Sequence, residues 1–165
     1  MINVTRDGQS WNDDRWDNYY PGLCVEIDGK RYIPICKCGS LTLTADLNIV
    51  PPTGPLHAFI REPFSRLISA YAFRYSGYLW GAFVDSVLSY TGDRPCMTLK
   101  PQSEYLAPFE IDTFYSLDQM TDVTGRTRTN NHEMDVSGLT LTSEQSRQYR
   151  EVYADDFELW ENNFG

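Results

Sequence analysis

The sequence has no apolar run of about 18 residues, the length a membrane-crossing helix needs, so no such helix is expected. Basic residues are scarce: 14 Lys and Arg stand against 23 Asp and Glu, for a formal net charge of −9. Binding along a nucleic-acid duplex requires a basic surface, so that class of partner is disfavoured. Any anionic ligand must be met by a few cations gathered in one place. The first twenty residues lack the positive start and apolar stretch of a secretory leader, which leads to the expectation of a cytoplasmic protein. In that compartment Cys24, Cys36, Cys38 and Cys96 are expected to be free thiols. Cys36-x-Cys38 lacks the second pair of a usual zinc motif, and no metal is expected. Also missing are internal repeats, low-complexity tracts and any linker. The pattern Gly-x-x-x-x-Gly-Lys-(Ser/Thr) is absent too, which disfavours ATP or GTP hydrolysis.

What is present fits a single domain over residues 1–165 with a substantial core, since 41% of the residues are hydrophobic and 14% aromatic. Residues 1–20 carry Trp11, Trp16, Tyr19 and Tyr20 among Asp and Asn. They read as an irregular arm that packs aromatics onto the body, and as a candidate contact surface for another protein. Two apolar-rich runs flank Asp28-Gly29, a hairpin signal. Pro34 lacks an amide donor, so its strand should lie at an edge or stop nearby. A turn at Lys37–Ser40 leads into an expected helix over Leu41–Ile49, ended by the cluster Val50-Pro-Pro-Thr-Gly-Pro55.

Leu56–Ile60 reads as a buried strand. Phe64, Leu67, Ile68, Tyr71, Ala72 and Tyr75 then follow helical spacing, as do Leu79, Trp80, Phe83, Val84, Val87 and Leu88. A short helix is expected over Pro101–Leu106 and a strand over Phe109–Tyr115. Thr121–Leu139 reads as a long irregular loop. A capping box, Thr142-x-x-Gln145, opens a last helix with Tyr149, Val152, Tyr153, Phe157 and Trp160 as its buried stripe. The fold class expected is α/β: three layers, α/β/α, with a small, mainly parallel sheet, P-loop-like, and an N-terminal β-hairpin.

Two segments carry chemistry. In Ile33-Pro-Ile-Cys-Lys37-Cys38-Gly39-Ser40-Leu41-Thr42 a strand feeds a glycine turn and a helix, with a lysine inside the turn. Backbone amides in such a turn cradle phosphate oxygens, and the lysine adds a positive charge; an ordinary strand-to-helix turn has the same pattern. In Phe59-Ile-Arg61-Glu-Pro-Phe-Ser-Arg66-Leu-Ile-Ser69-Ala-Tyr71, Pro63 suits the first position of a helix and Glu62 its acid-favouring start. Arg61 then stands at the carboxyl end of a strand, where open α/β sheets bind ligands. Arg66, Ser69 and Phe73 share the helix face opposite the apolar stripe. An arginine fork with a serine hydroxyl makes a phosphate clamp.

The second segment resembles the 3′-phosphate-binding motif of sulfotransferases, Arg-(Asp/Glu)-Pro-x-x-Arg-x-x-Ser-x-Tyr, and within them that of carbohydrate sulfotransferases of the chondroitin/dermatan type. The resemblance extends over about residues 30–160. It includes Pro101-Gln102-Ser before Phe109–Asp112, the loop Asn131–Ser137, and Tyr153-Ala-Asp-Asp156-Phe157. It implies a sulfotransferase that moves a sulfuryl group from 3′-phosphoadenosine 5′-phosphosulfate to a hydroxyl of a carbohydrate or small acceptor. Arg61 and Ser69 would hold the 3′-phosphate. Lys37, with Cys38, Gly39, Ser40, Leu41 and Thr42, would form the 5′-phosphosulfate loop, and Lys37 would face the leaving group.

Arg66, Arg126 and Arg128 are the further candidate cations. His132 and His57 are the candidate bases, with Asp46 and Glu104 as further options. His57 also reads as a core histidine and His132 as a solvated loop residue. The chain departs from the family pattern at Leu41, which precedes Thr42, and at Thr98-Leu99, where a His-Trp pair often stands. The segment between Lys37 and Arg61 is also short. These departures keep open an alternative: a non-catalytic relative, a binding or structural protein, compact as versions from a virus or bacterium would be.

Overall fold

Asp28 and Gly29 both adopt positive φ, 49° and 78°. That is the backbone a two-residue hairpin of right-handed twist requires. They join β1 (Val25–Ile27) to β2 (Lys30–Tyr32), paired antiparallel with Ile27 opposite Lys30. The computed structural model describes residues 23–46, 48–90, 98–128 and 134–165. The expected arm over 1–20, Cys96 and His132 lie outside the described residues.

β2 continues the sheet by pairing parallel with β3 (Leu56–Ile60), and β3 pairs parallel with β4 (Thr113–Ser116). The sheet order is β1-β2-β3-β4, so two of its three pairings are parallel and the α/β class with a small, mostly parallel sheet holds. Pro34 falls just past the end of β2, where no ladder donor is needed. Alternating side chains of β3 feed two cores. Leu56, Ala58 and Ile60 join Ile33, Ile35, Tyr105 and Leu106 in one. Phe59 joins Tyr32, Val25, Leu117 and Met120 in the other.

Helices follow the strands. α1 (Ser40–Leu43) comes after β2, and α2 (Pro63–Ala70) after β3, running on into a π-helical turn, Tyr71–Tyr75. Pro63 takes the first turn of α2, and the Glu62 carboxylate caps it by accepting from the Phe64 and Ser65 amides at 3.1 and 2.6 Å. α3 (Trp80–Ser89) and α4 (Gln102–Leu106) come next. A 3-10 turn (Leu117–Gln119) then leads from β4 into α5 (Met120–Thr124), and α6 (Ser143–Val152) and α7 (Ala154–Phe164) end the chain. A third core joins α2, α3, α6 and α7 through Leu67, Tyr71, Phe83, Val84, Tyr149 and Phe157. Among the described residues no helix is long and apolar enough to cross a membrane.

Four elements differ from the sequence reading, each for a hydrogen-bonding reason. The helix expected over Leu41–Ile49 is a single turn. Asn48–Val50 instead runs along the open edge of β1, where Glu26 N donates to Asn48 O and Val50 N to Cys24 O, both at 3.0 Å. An unpaired strand edge beside the core outweighs a weak helix. β4 starts at Thr113 rather than Phe109, because the Asp112 carboxylate takes the Leu56 amide at 2.7 Å and substitutes for a ladder rung. The start of the loop expected over Thr121–Leu139 is helical: Met120–Thr124 forms α5 and closes on Gly125 at φ 71°. The final helix keeps its capping box at Thr142 and Gln145 but breaks at Tyr153, whose buried hydroxyl donates to Leu99 O at 2.7 Å. The break sets α7 at a new angle and brings Asp156 under α4.

Candidate functional site

The ends of β2 and β3 stand side by side, and the chain leaving each carries a cation. After β2, Lys37 adopts φ 66° and Gly39 φ 81°, with Cys38 N donating to Ile35 O at 3.0 Å between them. Two left-handed residues in three reverse the chain within one turn. A left-handed backbone at a lysine is unfavourable by about 1 kcal/mol and persists only where the surroundings impose it. Glycine is favoured at position 39 on a second count: a Cβ there would lie 2.7 Å from Met120 Sδ and overlap its methyl group, so the buried Met120 side chain would have to shift.

Arg61 follows β3 directly. Its Nε donates to Ser65 Oγ at 3.0 Å, and an Nη lies 3.4 Å from the Lys37 carbonyl. Lys37 is half-buried with its ammonium 4.0 Å from the centre of the Phe73 ring. The π-helical turn carries Phe73, adding a residue to the helix just where the ring must meet Lys37. Arg66 is 3% exposed and donates to Cys36 O at 3.0 Å, so it supports the loop from beneath. Ser69, also 3% exposed, lies between Arg66 and Phe73 on the same helical stripe by i+3 and i+4 spacing.

Electrostatics separate these cations. Burial pushes the Lys37 ammonium down to about 8, and Arg61 and Arg66 push the same way against Cys36 and Cys38. Burial likewise lowers Arg61; Cys38 opposes that shift, while Arg128 and Arg66 add to it. Among the described residues no carboxylate forms an ion pair with Lys37 or Arg61. Arg66 is different: burial opposes its charge, but Cys38, Asp156 and Tyr105 outweigh that and raise it. Burial pushes the Cys38 thiol up to about 11, so it is a neutral donor, and it donates to Gln102 Oε1 at 3.0 Å. An acidic chain thus keeps two half-buried cations, side by side, with no ion-pair partner among the described residues and with Asp118 a minor influence on Arg61. That is the condition for taking up an anion.

Of the residues singled out from the sequence, Lys37, Cys38, Gly39, Arg61 and Arg66 come together. Ser40 and Thr42 are buried in α1, and Leu41 is exposed beside them. Arg128 lies near Arg61 and is 3.5 Å from the exposed Asp118 carboxylate. Arg126 does not join them: it donates to Thr42 O at 3.0 Å at the far end of α1 and pairs with Asp46. His57 stands four residues before Arg61 on β3, about 13 Å away along extended chain. It packs among Tyr32 and Tyr115 rings, and burial lowers its pKa. Glu104 is exposed on α4. A cavity of about 370 Å³ opens elsewhere, between Leu106, Phe109, Phe114 and Leu159, and none of the site cations lines it.

Sequence reasoning missed the roles of Gln102 and Asp156. Both are 1% exposed. Asp156 Oδ2 accepts from Gln102 N, and Oδ1 from Ser103 N and Ser103 Oγ, all within 2.9 Å. A signal existed: Asp156 adjoins Phe157 and follows Tyr153 by three on a buried helical stripe, and an acid there must have partners. The site therefore belongs to an α/β protein whose chain, past the carboxyl ends of two neighbouring parallel strands, presents two cations with no ion-pair partner among the described residues. Comparison of the chain with family models, curated proteins and solved structures finds no match.

Proposed function

We propose that the chain binds 3′-phosphoadenosine 5′-phosphosulfate at Lys37 and Arg61, in a P-loop-like arrangement, and transfers its sulfuryl group to a hydroxyl of a carbohydrate or similar acceptor. The observation that carries this reading is this pair of cations, lodged in the two segments that resemble the 5′- and 3′-phosphate motifs of sulfotransferases. In the transfer, the acceptor oxygen forms a bond to sulfur as the bond from sulfur to the 5′-phosphate oxygen breaks. The acceptor proton leaves to solvent or a base, and 3′-phosphoadenosine 5′-phosphate departs. Protein contributes mainly position and charge in such reactions. Lys37 neutralises charge growing on the departing phosphate, and Arg61 fixes the 3′-phosphate, while Ser69, 3% exposed, stays within the support beside Arg66.

One observation favours a second reading, binding without transfer. Of the candidate bases described, His57 is a strand's length from Arg61, Asp46 is paired with Arg126, and Glu104 is exposed. Calorimetry with 3′-phosphoadenosine 5′-phosphate, followed by transfer of labelled sulfate to a panel of glycans, separates the two. Saturable binding with labelled product supports transfer, and binding without product supports the second reading. No binding at millimolar nucleotide refutes both.

A further inference from the structure

We infer that Gln102 is the positioning residue of this site: its one side-chain amide fastens the Lys37 loop to the end of β3 and so sets the spacing of Lys37 and Arg61. The geometry is specific. Gln102 Oε1 accepts from Arg61 N at 2.9 Å and from Cys38 Sγ at 3.0 Å, while its Nε2 donates to Arg61 O at 2.8 Å. The amide thus meets both backbone groups of Arg61 as a neighbouring strand would, at the point where β3 has run out of strand partners. The same oxygen holds the residue after Lys37.

Gln102 is itself immobilised. Its main-chain amide and that of Ser103 are held by the Asp156 carboxylate, reaching up from α7. A continuous set of hydrogen bonds therefore runs from α7 through α4 to the two strands that bear the cations. Arg66, close enough to Asp156 to be raised by it, supports the loop from below through Cys36 O. The side chain of Gln102 reaches no solvent, and it contributes no charge. Its role is to hold two like charges close together against their mutual repulsion, leaving both free for a ligand. The inference takes the Lys37–Arg61 anion site as read above, and extends that reading to what assembles it.

The test does not depend on the ligand. In the full-length chain, the Lys37 side chain is followed by NMR through pH 6–11, with the resonance assigned by Lys37→Arg. The groups that bear on it are Cys36, Cys38, Arg61 and Arg66. Gln102→Met keeps the length of the side chain and deletes its three hydrogen bonds. Gln102→Asn keeps the amide but falls a methylene short of Arg61, and serves if the first variant does not fold. In either folded variant the loop separates from Arg61 and takes up water, so the Lys37 midpoint rises from its parental value through lost burial and lost repulsion, and affinity for 3′-phosphoadenosine 5′-phosphate falls tenfold or more. A loss of packing confined to α4 and α7, away from the Lys37 loop, lowers the melting temperature without moving that midpoint. A folded variant in which Lys37 titrates where the parent does overturns the inference. Failure of the parent to bind the nucleotide overturns the functional reading instead, and leaves the titration result to decide Gln102 by itself.

Discussion

Replacing Lys37 by methionine should make the protein more stable and less able to bind anions, and the size of the first effect follows from the site. The ammonium is shifted from its usual 10.5 to about 8, chiefly by burial. Each pH unit corresponds to about 1.36 kcal/mol at 25 °C, so charging Lys37 in the fold costs up to about 3 kcal/mol, and about half that once solvent around the half-buried side chain is counted. Methionine keeps the unbranched stem and adopts φ 66° no worse than lysine does. Its sulfur restores by contact with Phe73 roughly what the cation–π contact supplied, on the order of 0.5–1 kcal/mol. A gain of about 1–2 kcal/mol at pH 7 remains, or about 2–8 °C in melting temperature.

The sign depends on pH and can be checked. Below pH 8 both folded and unfolded chains hold the Lys37 proton, and the folded chain carries the whole cost of charge. Between about 8 and 10.5 the folded chain has released the proton while the unfolded chain keeps it, so parental stability rises with pH across that window. The difference between parent and Lys37→Met should therefore shrink from pH 8 to pH 10.5, as read by urea unfolding. Nucleotide added at pH 8 should draw about half a proton onto Lys37, seen as a buffer-dependent heat in the parent and absent from the variant. A variant that is less stable than the parent at pH 7, or whose advantage in stability does not change with pH, refutes the reasoning.

Arg61→Ala should leave the fold intact, since the side chain bonds only Ser65 Oγ and the Lys37 carbonyl, yet weaken 3′-phosphoadenosine 5′-phosphate about 10- to 100-fold by calorimetry. Gly39→Ala should destabilise by about 2–4 kcal/mol in urea unfolding, combining a left-handed alanine with the Met120 overlap. Adding Met120→Ala to Gly39→Ala should not restore the loss in full, because the backbone strain persists. Asp156→Ala strips the α4 amides of their acceptor and Arg66 of its counter-charge, so a loss of about 3–5 kcal/mol is expected from the same assay.

Local signals in the sequence were legible where one residue type has one physical use. Asp28-Gly29 specifies the hairpin through φ, Pro63 behind Glu62 specifies the start of α2, and Thr142 with Gln145 specifies that of α6. The α/β class and the strand bearing Arg61 followed from periodicity. Boundaries went astray where a distant group took over a backbone bond. Asn48–Val50 left the helix to serve β1, and Asp112 shortened β4. Lys37 and Arg61 were readable because each sits at a strand-to-helix junction. Gln102 was not: a glutamine after proline has no distinctive local conformation, and its three partners lie 41 and 64 residues away in the chain.

Arg61 and Arg66 show why the count of cations in a motif does not reveal which of them meets a ligand. They stand five residues apart on one segment and point to the same loop. Arg66 is 3% exposed and bonded to Cys36 O, and Asp156 answers its charge. An external phosphate could reach it only by dismantling the loop it supports. Arg61 is half-buried, meets a hydroxyl and a carbonyl oxygen, and forms no ion pair among the described residues; Asp118, paired with Arg128, offsets its charge only weakly. Folding leaves its charge largely uncompensated beside Lys37, which costs stability. A charge the fold satisfies is structural, and a charge it leaves unsatisfied at an accessible place is kept for something that arrives. By that criterion the proposed anion site is Lys37 with Arg61, and Arg66 is part of its foundation.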